Sequence, residues 1–286
     1  MHQPVMAETA VSLLAIRPEG VYVDATAGLG GHLALIARRL TTGLAIACDR
    51  DAESLEMARA NTAPWADRVR FHHGPFSRLA EAVAEAGFRK VDGLLADLGV
   101  SRYQLTAPER GFSLFADGPL DMRMDRSTGI TAADLVNHTA EKALADLIFQ
   151  FGEERRARKI ARALVRARPL RSSLCLADAV ERAVPRTGRL HPATRTFMAL
   201  RMAVNDEPGE LDSLLETGPG LLAAGGRMVA ISFMSLDDRK IKLKFRELEK
   251  AGRAAILTKR PLQPSEEEVA NNPASRSAKL RALEMK

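Results

Sequence analysis

Asp24, Gly28, Gly30, Gly31, His32 and Asp49 are the residues whose types and spacing promise chemistry. They fall in Y-V-D-A-T-A-G-L-G-G-H (22–32) and, one helix-length later, in L-A-I-A-C-D (44–49). A strand, a glycine turn and a helix start give backbone amides and close approach for a bulky ligand. An acid about 20 residues beyond the glycines can accept both ribose hydroxyls. The spacing therefore predicts a nucleoside-cofactor pocket, with the amides of Gly30, Gly31 and His32 pointing into the crevice and Asp49 on the ribose. A dinucleotide fingerprint would need glycine where Leu33 stands and lacks an acid like Asp24 ahead of its first glycine. S-adenosylmethionine suits the pattern better, because it has no pyrophosphate and its cationic end is stabilised by a carboxylate. A glycine turn that merely joins a strand to a helix would look similar.

Asp97 closes a second apolar run, D-G-L-L-A-D-L-G-V (92–100). At the end of a neighbouring strand it could accept hydrogens from an exocyclic amine and aim the nitrogen at a methyl donor. It could equally cap a turn or bind the cofactor's amine. Phe76, in H-H-G-P-F, could pack on an adenine face, and Gln104 can offer both donor and acceptor to a ligand's polar end. His72 and His73 have no companions at metal-ligand spacing, and no metal is expected.

These residues need a frame. Runs at Val21–Asp24, Leu44–Cys48, Val69–His72 and Gly93–Asp97 alternate with helical stretches Ala52–Ala60 and Phe76–Ala86, the β-α-β rhythm of a Rossmann-like parallel sheet. The rhythm then stops for about 100 residues of loop and helix, too long for a structureless loop. We expect a discontinuous α/β domain, 1–104 and 206–286, carrying a mainly helical inserted subdomain, 105–205, for substrate recognition. The sheet should resume through a helix at Glu210–Leu222, a turn at 224–227 and strands at Met228–Ser232, Ala254–Thr258 and Ser277–Leu280. The stretch from Arg260 to Arg276 is polar enough to be mobile.

Composition sets the remaining bounds. The chain has 286 residues, 46% hydrophobic and 27% charged, with net charge +6 and two cysteines. It shows no secretory pattern and no apolar run of membrane-span length, so cytoplasm is the expected location. Cys48 and Cys175 make neither a disulfide framework nor a zinc site and are expected to pack. The charge is concentrated in R-R-A-R-K-I-A-R-A-L-V-R-A-R-P-L-R (155–171). On a helix Arg155, Arg158, Lys159, Arg162 and Arg166 form one stripe, with Ile160, Leu164 and Val165 on another flank. A basic stripe without acids suits RNA phosphates, although a solvated face has the same pattern. In the block 109–125, Arg110 and Arg123, with Arg126 just beyond, interleave with Phe112, Phe115, Met122 and Met124. That mixture suits either a splayed base or a loop packed on the insert.

Longer blocks carry a resemblance. H-Q-P-V-M (2–6), D-A-T-A-G-L-G-G-H, D-R-D (49–51), D-L-G-V-S, E-R-G-F-S with D-G-P-L-D-M-R-M-D, F-G-E-E, H-P-A-T-R-T-F and N-P-A-S-R-S-A-K-L-R resemble the bacterial ribosomal RNA small subunit methyltransferase H family nearly end to end. The resemblance implies a class I S-adenosylmethionine-dependent methyltransferase fold with an inserted helical domain. It also implies methylation of N4 of a cytidine in the decoding centre of 16S rRNA, within the small ribosomal subunit. The family's cofactor contacts fall on Gly30, Gly31, His32, Asp49, Phe76, Asp97 and Gln104. The chain departs from the family at Met234, where a histidine is usual, at Asp237, which shortens a glutamate, and at Arg102. Two alternatives keep the same cofactor half or the same basic insert: a DNA cytosine-N4 methyltransferase, and a non-catalytic ribosome-assembly protein that binds RNA. The expected reaction is direct in-line methyl transfer without a covalent enzyme intermediate. Oligomeric state is not legible in the sequence.

Overall fold

The computed structural model describes residues 4–186, 188 and 190–286. Its chain divides into two compact units, 1–99 with 208–286 and 100–207. The expected divisions were after 104 and after 205.

The first unit is built on a seven-stranded sheet. Strands β1 (Val21–Asp24), β2 (Leu44–Asp49), β3 (Val69–His73), β4 (Val91–Asp97), β5 (Leu222–Ser232), β6 (Ala254–Ile256) and β7 (Lys279–Met285) lie in the order β3-β2-β1-β4-β5-β7-β6. The first five pair in parallel, while β7 is antiparallel to both β5 and β6. Parallel strands are covered on both faces, which is why β1, β2 and β4 read as continuous apolar runs. One face holds Val23, Ile46, Leu94 and Ala230, and the other holds Tyr22, Ala45, Leu95 and Ile231. The strand order reverses between β1 and β4, and β1, β2 and β4 deliver Asp24, Asp49 and Asp97 at their carboxyl ends. Open α/β sheets bind ligands at this switch point.

Several expected elements shift. The turn expected at 224–227 lies inside β5, whose pairing with β4 jumps from Val91↔Leu222 to Gly93↔Arg227; this irregularity absorbs the extra residues, with Gly225 at φ +75°. The last strand begins at Lys279 and runs to Met285. The polar stretch 260–276 carries a capped helix, Glu266–Asn271, and a 3-10 turn, Pro273–Ser277. Two helices escaped the sequence reading, Ala7–Leu14 and Ser235–Lys250. Cys48 packs in the core as expected, but Cys175 is exposed.

The second unit is helical: Ala132–His138, Glu141–Gly152, Ala157–Arg166, Ser173–Ala183 and Thr194–Val204 surround Leu144, Ile148, Ile160, Leu164, Leu176, Val180 and Leu200. Its long connecting loop is fastened from within. Fully buried Arg110 donates through Nη2 to the carbonyls of Arg123 (3.1 Å) and Met124 (2.9 Å), and Asn205 brackets the same turn through Met124 N and Met122 O. Among the described residues no helix is long and apolar enough to cross a membrane.

Candidate cofactor site and charged helix

Three carboxylates converge where β1, β2 and β4 end. Asp24 is fully buried; its Oδ1 accepts the Thr26 amide at 3.1 Å, while Oδ2 has no hydrogen-bond partner. Asp49 accepts the Gly28 amide (2.8 Å) and the Asp51 amide (2.9 Å), one on each oxygen. Asp97 is anchored through its backbone, whose N–H donates to Thr26 Oγ1 at 2.7 Å, and its buried Oδ1 has no partner. Thr26 thus ties the end of β4 to the turn after β1.

The electrostatics of this cluster are unfavourable without a ligand. Burial, then the charge of Asp24, pushes the Asp97 carboxyl up to about 8. Burial, opposed by the Thr26 amide and reinforced by Asp49, raises Asp24 to about 7. Asp49 rises to about 6 through burial, although the amides of Asp51 and Gly28 pull it back. Unpaired buried carboxylates of this kind are costly to ionise, and a bound cation relieves the cost.

The turn itself is shaped by the chain's own packing. Gly30 has φ +84°, and a Cβ there would sit 3.1 Å from Ala58 Cα; at Gly31 a Cβ would meet Pro4 at 3.0 Å. The absent side chains of these glycines admit the helix Ala52–Asn61 and the segment 4–6. The Gly30 amide also differs from expectation, since it donates to Ala27 O at 2.7 Å and closes the turn. His32 is buried with Nε2 3.0 Å from the Val5 carbonyl. A carbonyl can only accept, so the proton sits on Nε2, and Nδ1 faces Asp97 Oδ2 at 3.9 Å. The side chain therefore fixes the segment 4–6 over the turn. His2 and Gln3 of the first family-like block lie outside the described residues.

Phe76 opens a 3-10 turn after β3 and is half-buried against the core. Ser77 beside it is held by Glu210, which accepts from both its N–H and its Oγ. The structure thus gathers Gly30, Gly31, His32, Asp49 and Asp97 around the carboxyl edge of one sheet, with Phe76 following the adjacent strand β3. Gln104 belongs to the second unit. There it is buried, and its Oε1 accepts the Ser101 amide (2.9 Å) while Ser101 Oγ accepts the Gln104 amide (3.2 Å). That capping box is written in the sequence as S-R-Y-Q and gives Gln104 a structural task. Asp24, whose place before the glycines is visible in the sequence, joins this cluster without being among the cofactor contacts that the family resemblance implies.

In the second unit the basic segment forms the helix Ala157–Arg166, with Ile160 and Leu164 buried and Arg158, Lys159, Arg162 and Arg166 exposed. Arg155 precedes the helix and is not part of its stripe. Arg162 finds Glu141 of the preceding helix at 3.4 Å, an acid the local sequence did not reveal. Among the described residues Arg155, Arg158, Lys159 and Arg166 have no ion-pair partner. The block 109–125 divides: Phe112, Met122 and Met124 are core, Arg110 is buried, and Arg123 is chelated by Asp121 at 2.7 and 2.9 Å. Arg126 lies 3.8 Å from the same carboxylate. Phe115 alone of its aromatic and methionine residues stays in solvent.

The profile of the MraW methylase family matches residues 1–286. The chain belongs to this family. Among curated relatives of this MraW methylase, a "Ribosomal RNA small subunit methyltransferase H" from Solibacter usitatus is 76% identical over the whole of both chains. The protein of the same name from Acidobacterium capsulatum is 50% identical, covering all of this chain and 98% of the other. An rRNA methylase from Streptococcus thermophilus, solved by crystallography, aligns over all of this chain and 98% of its own at 12% identity and a TM-score of 0.44. The MraW methylase fold here is a class I methyltransferase sheet, five parallel strands with β7 inserted antiparallel between β5 and β6.

Proposed function

We propose that this MraW methylase is an S-adenosylmethionine-dependent methyltransferase of small-subunit ribosomal RNA, acting on N4 of a cytidine in the decoding centre of 16S rRNA. The observation that carries the cofactor is the cluster of Asp24, Asp49 and Asp97, in which Asp24 Oδ2 and Asp97 Oδ1 are buried without partners where a cation would satisfy them. The substrate rests on full-length identity of 76% to a protein named for small-subunit rRNA methylation.

The cofactor supplies a methyl group on a positively charged sulfur, and the chain's residues bind and orient. Asp49 keeps a second lone pair on each oxygen after accepting Gly28 and Asp51, so it can take ribose hydroxyls. Asp24 and Asp97 provide negative charge for the cationic end, and Phe76 a half-buried ring for adenine. Asp97, once ionised, can accept hydrogens of an exocyclic amine and hold its nitrogen in line, which makes position and electrostatics the main sources of rate. Attack by an exocyclic nitrogen needs no enzyme nucleophile, so a single displacement suffices. The exposed cations of the helix Ala157–Arg166 suit RNA phosphates.

The test is transfer of label from methyl-labelled S-adenosylmethionine to small subunits from cells lacking this gene, followed by nucleoside analysis. N4-methylated cytidine in 16S rRNA is expected. Label in duplex DNA instead would support a DNA cytosine-N4 methyltransferase, and particle binding without turnover would support an assembly protein.

A further inference from the structure

We propose that Phe115, backed by His191, is a stacking platform for an unpaired RNA base; this rests on the rRNA reading above and names the residue that grips the substrate. Phe115 is 81% exposed, an unusual state for a phenylalanine. It is nevertheless held firmly. Ser113 Oγ accepts the amides of Phe115 and Ala116, both at 3.1 Å. The Ala116 carbonyl accepts Ser173 Oγ (2.9 Å), the Gly118 carbonyl accepts the Ser173 amide (3.0 Å), and Leu120 N–H donates to Arg171 O (3.1 Å). The loop is therefore nailed to the start of the helix Ser173–Ala183, and its phenyl ring is presented to solvent on a rigid base. The His191 imidazole meets that ring edge-on, with centroids 5.9 Å apart and planes at 80°.

Such an arrangement fixes the ring's orientation while leaving a face uncovered. A planar base can add to that face without ordering a flexible side chain, which is what makes aromatic platforms effective for single strands. Charge selects the occupant. Residues 100–207 hold 18 Lys and Arg against 13 Asp and Glu, a net +5 of the chain's +6. The platform is also connected to the cationic helix within the same unit. His191 Nε2 lies 3.8 Å from Glu181 of the helix Ser173–Ala183, and the Pro185 carbonyl just after that helix accepts Arg156 Nη1 at 3.1 Å, at the N-terminus of Ala157–Arg166. A polyanion carrying unpaired bases matches both features, whereas duplex nucleic acid has no free base face to offer.

The experiment uses full-length wild-type protein, Phe115→Ala and Phe115→Trp. Steady-state methylation of small subunits is measured first. Phe115→Ala is expected to raise KM for the subunit roughly tenfold, within the range for losing one base–aromatic stack, with kcat within about twofold, cofactor affinity unchanged, and KM restored in Phe115→Trp. In parallel a single-stranded RNA 12-mer of mixed sequence is titrated at low salt. Fluorescence of Phe115→Trp in excess of the Trp65 background should be quenched, and Phe115→Ala should bind several-fold more weakly than wild type. Wild-type KM in Phe115→Ala, or fluorescence of Phe115→Trp indifferent to RNA, overturns the platform and leaves the methylation reading intact. If wild type methylates no subunit, the methylation reading fails and the 12-mer titration alone decides the platform. A lowered melting temperature in Phe115→Ala with a quenched Phe115→Trp signal still supports it, because the introduced indole reports contact directly.

Discussion

Replacing Asp97 by Asn removes an ionisable group while keeping its shape, and the pH dependence of cofactor affinity then reports whether Asp97 meets a cation. The free carboxyl titrates at about 8 because burial and Asp24 disfavour its charge. Beside the sulfonium or ammonium of the cofactor it should titrate below about 5, like a paired carboxylate. Between those values binding expels one proton from Asp97, so affinity rises tenfold per pH unit. From about pH 5.5 to 7.0, where the cofactor's amine stays charged, that is roughly 30-fold, or about 2 kcal/mol at 1.36 kcal/mol per unit. Asp24, free at about 7, adds to the wild-type slope. Asp97→Asn should therefore make log Kd fall with pH less steeply, by about one log unit per pH unit, and weaken binding most near neutrality. Isothermal titration with S-adenosylmethionine in buffers of different ionisation enthalpy gives both the Kd and the protons released. Equal slopes for wild type and Asp97→Asn would refute the reasoning. Stability of the ligand-free protein checks the same carboxylates with opposite sign. The folded state holds protons that the unfolded chain, with ordinary aspartates near 3.9, has already lost. Stability should therefore fall as pH rises from about 4 through 8, and saturating cofactor should flatten that decline.

Other expected outcomes concern different parts of the molecule. Arg158→Glu, Arg162→Glu and Arg166→Glu together should weaken binding to small subunits by at least tenfold at low salt and shallow its salt dependence, with cofactor Kd unchanged; filter binding across a salt series measures both. Asp238 grips Arg281 through two bonds of 2.7 and 3.1 Å, and both side chains are largely buried. Asp238→Ala should cost about 3 kcal/mol in urea unfolding, because it strands a buried guanidinium. At Gly111, with φ +73°, a Cβ would fall 2.2 Å from the Pro119 carbonyl oxygen. Gly111→Ala should destabilise the helical unit by on the order of 3 kcal/mol or more, seen as a lower melting temperature.

Sequence alone revealed the sheet edge better than what surrounds it. Asp24, Asp49 and Asp97 were visible because each closes an apolar run, and a buried parallel strand has few other places for an acid. The amides did not follow as simply. Gly30 spends its N–H on Ala27 and its missing side chain on Ala58, contacts set by a turn's detailed path and by the helix Ala52–Asn61 beyond the next strand. Gln104 stands three residues after Ser101, the spacing of a capping box, so its place at a helix start was also legible in the sequence. Glu141's partnership with Arg162 lay beyond local inspection because it joins adjacent helices. In the 109–125 block, periodicity could not separate Phe112 from Phe115: one sinks into the core and the other stands in solvent, in a loop held at Ala116, whose amide donates to Ser113 Oγ and whose carbonyl accepts Ser173 Oγ.

The sheet's strand order also sets a timetable for folding. Strands β1 to β4 can associate as they are synthesised, since β2 and β3 each follow their partner closely and β4 returns to pair with β1 before the helical unit begins. The free edge of β4 must then wait while the whole helical unit is made, because its partner β5 begins at Leu222. β6 waits again, since its pairing is with β7, which follows it in sequence. An unpaired β4 edge is a template for association with other chains during that interval. Folding speed should thus be governed by how fast the helical unit closes the long connection between β4 and β5. Chaperone demand during synthesis should peak while that connection is still being made.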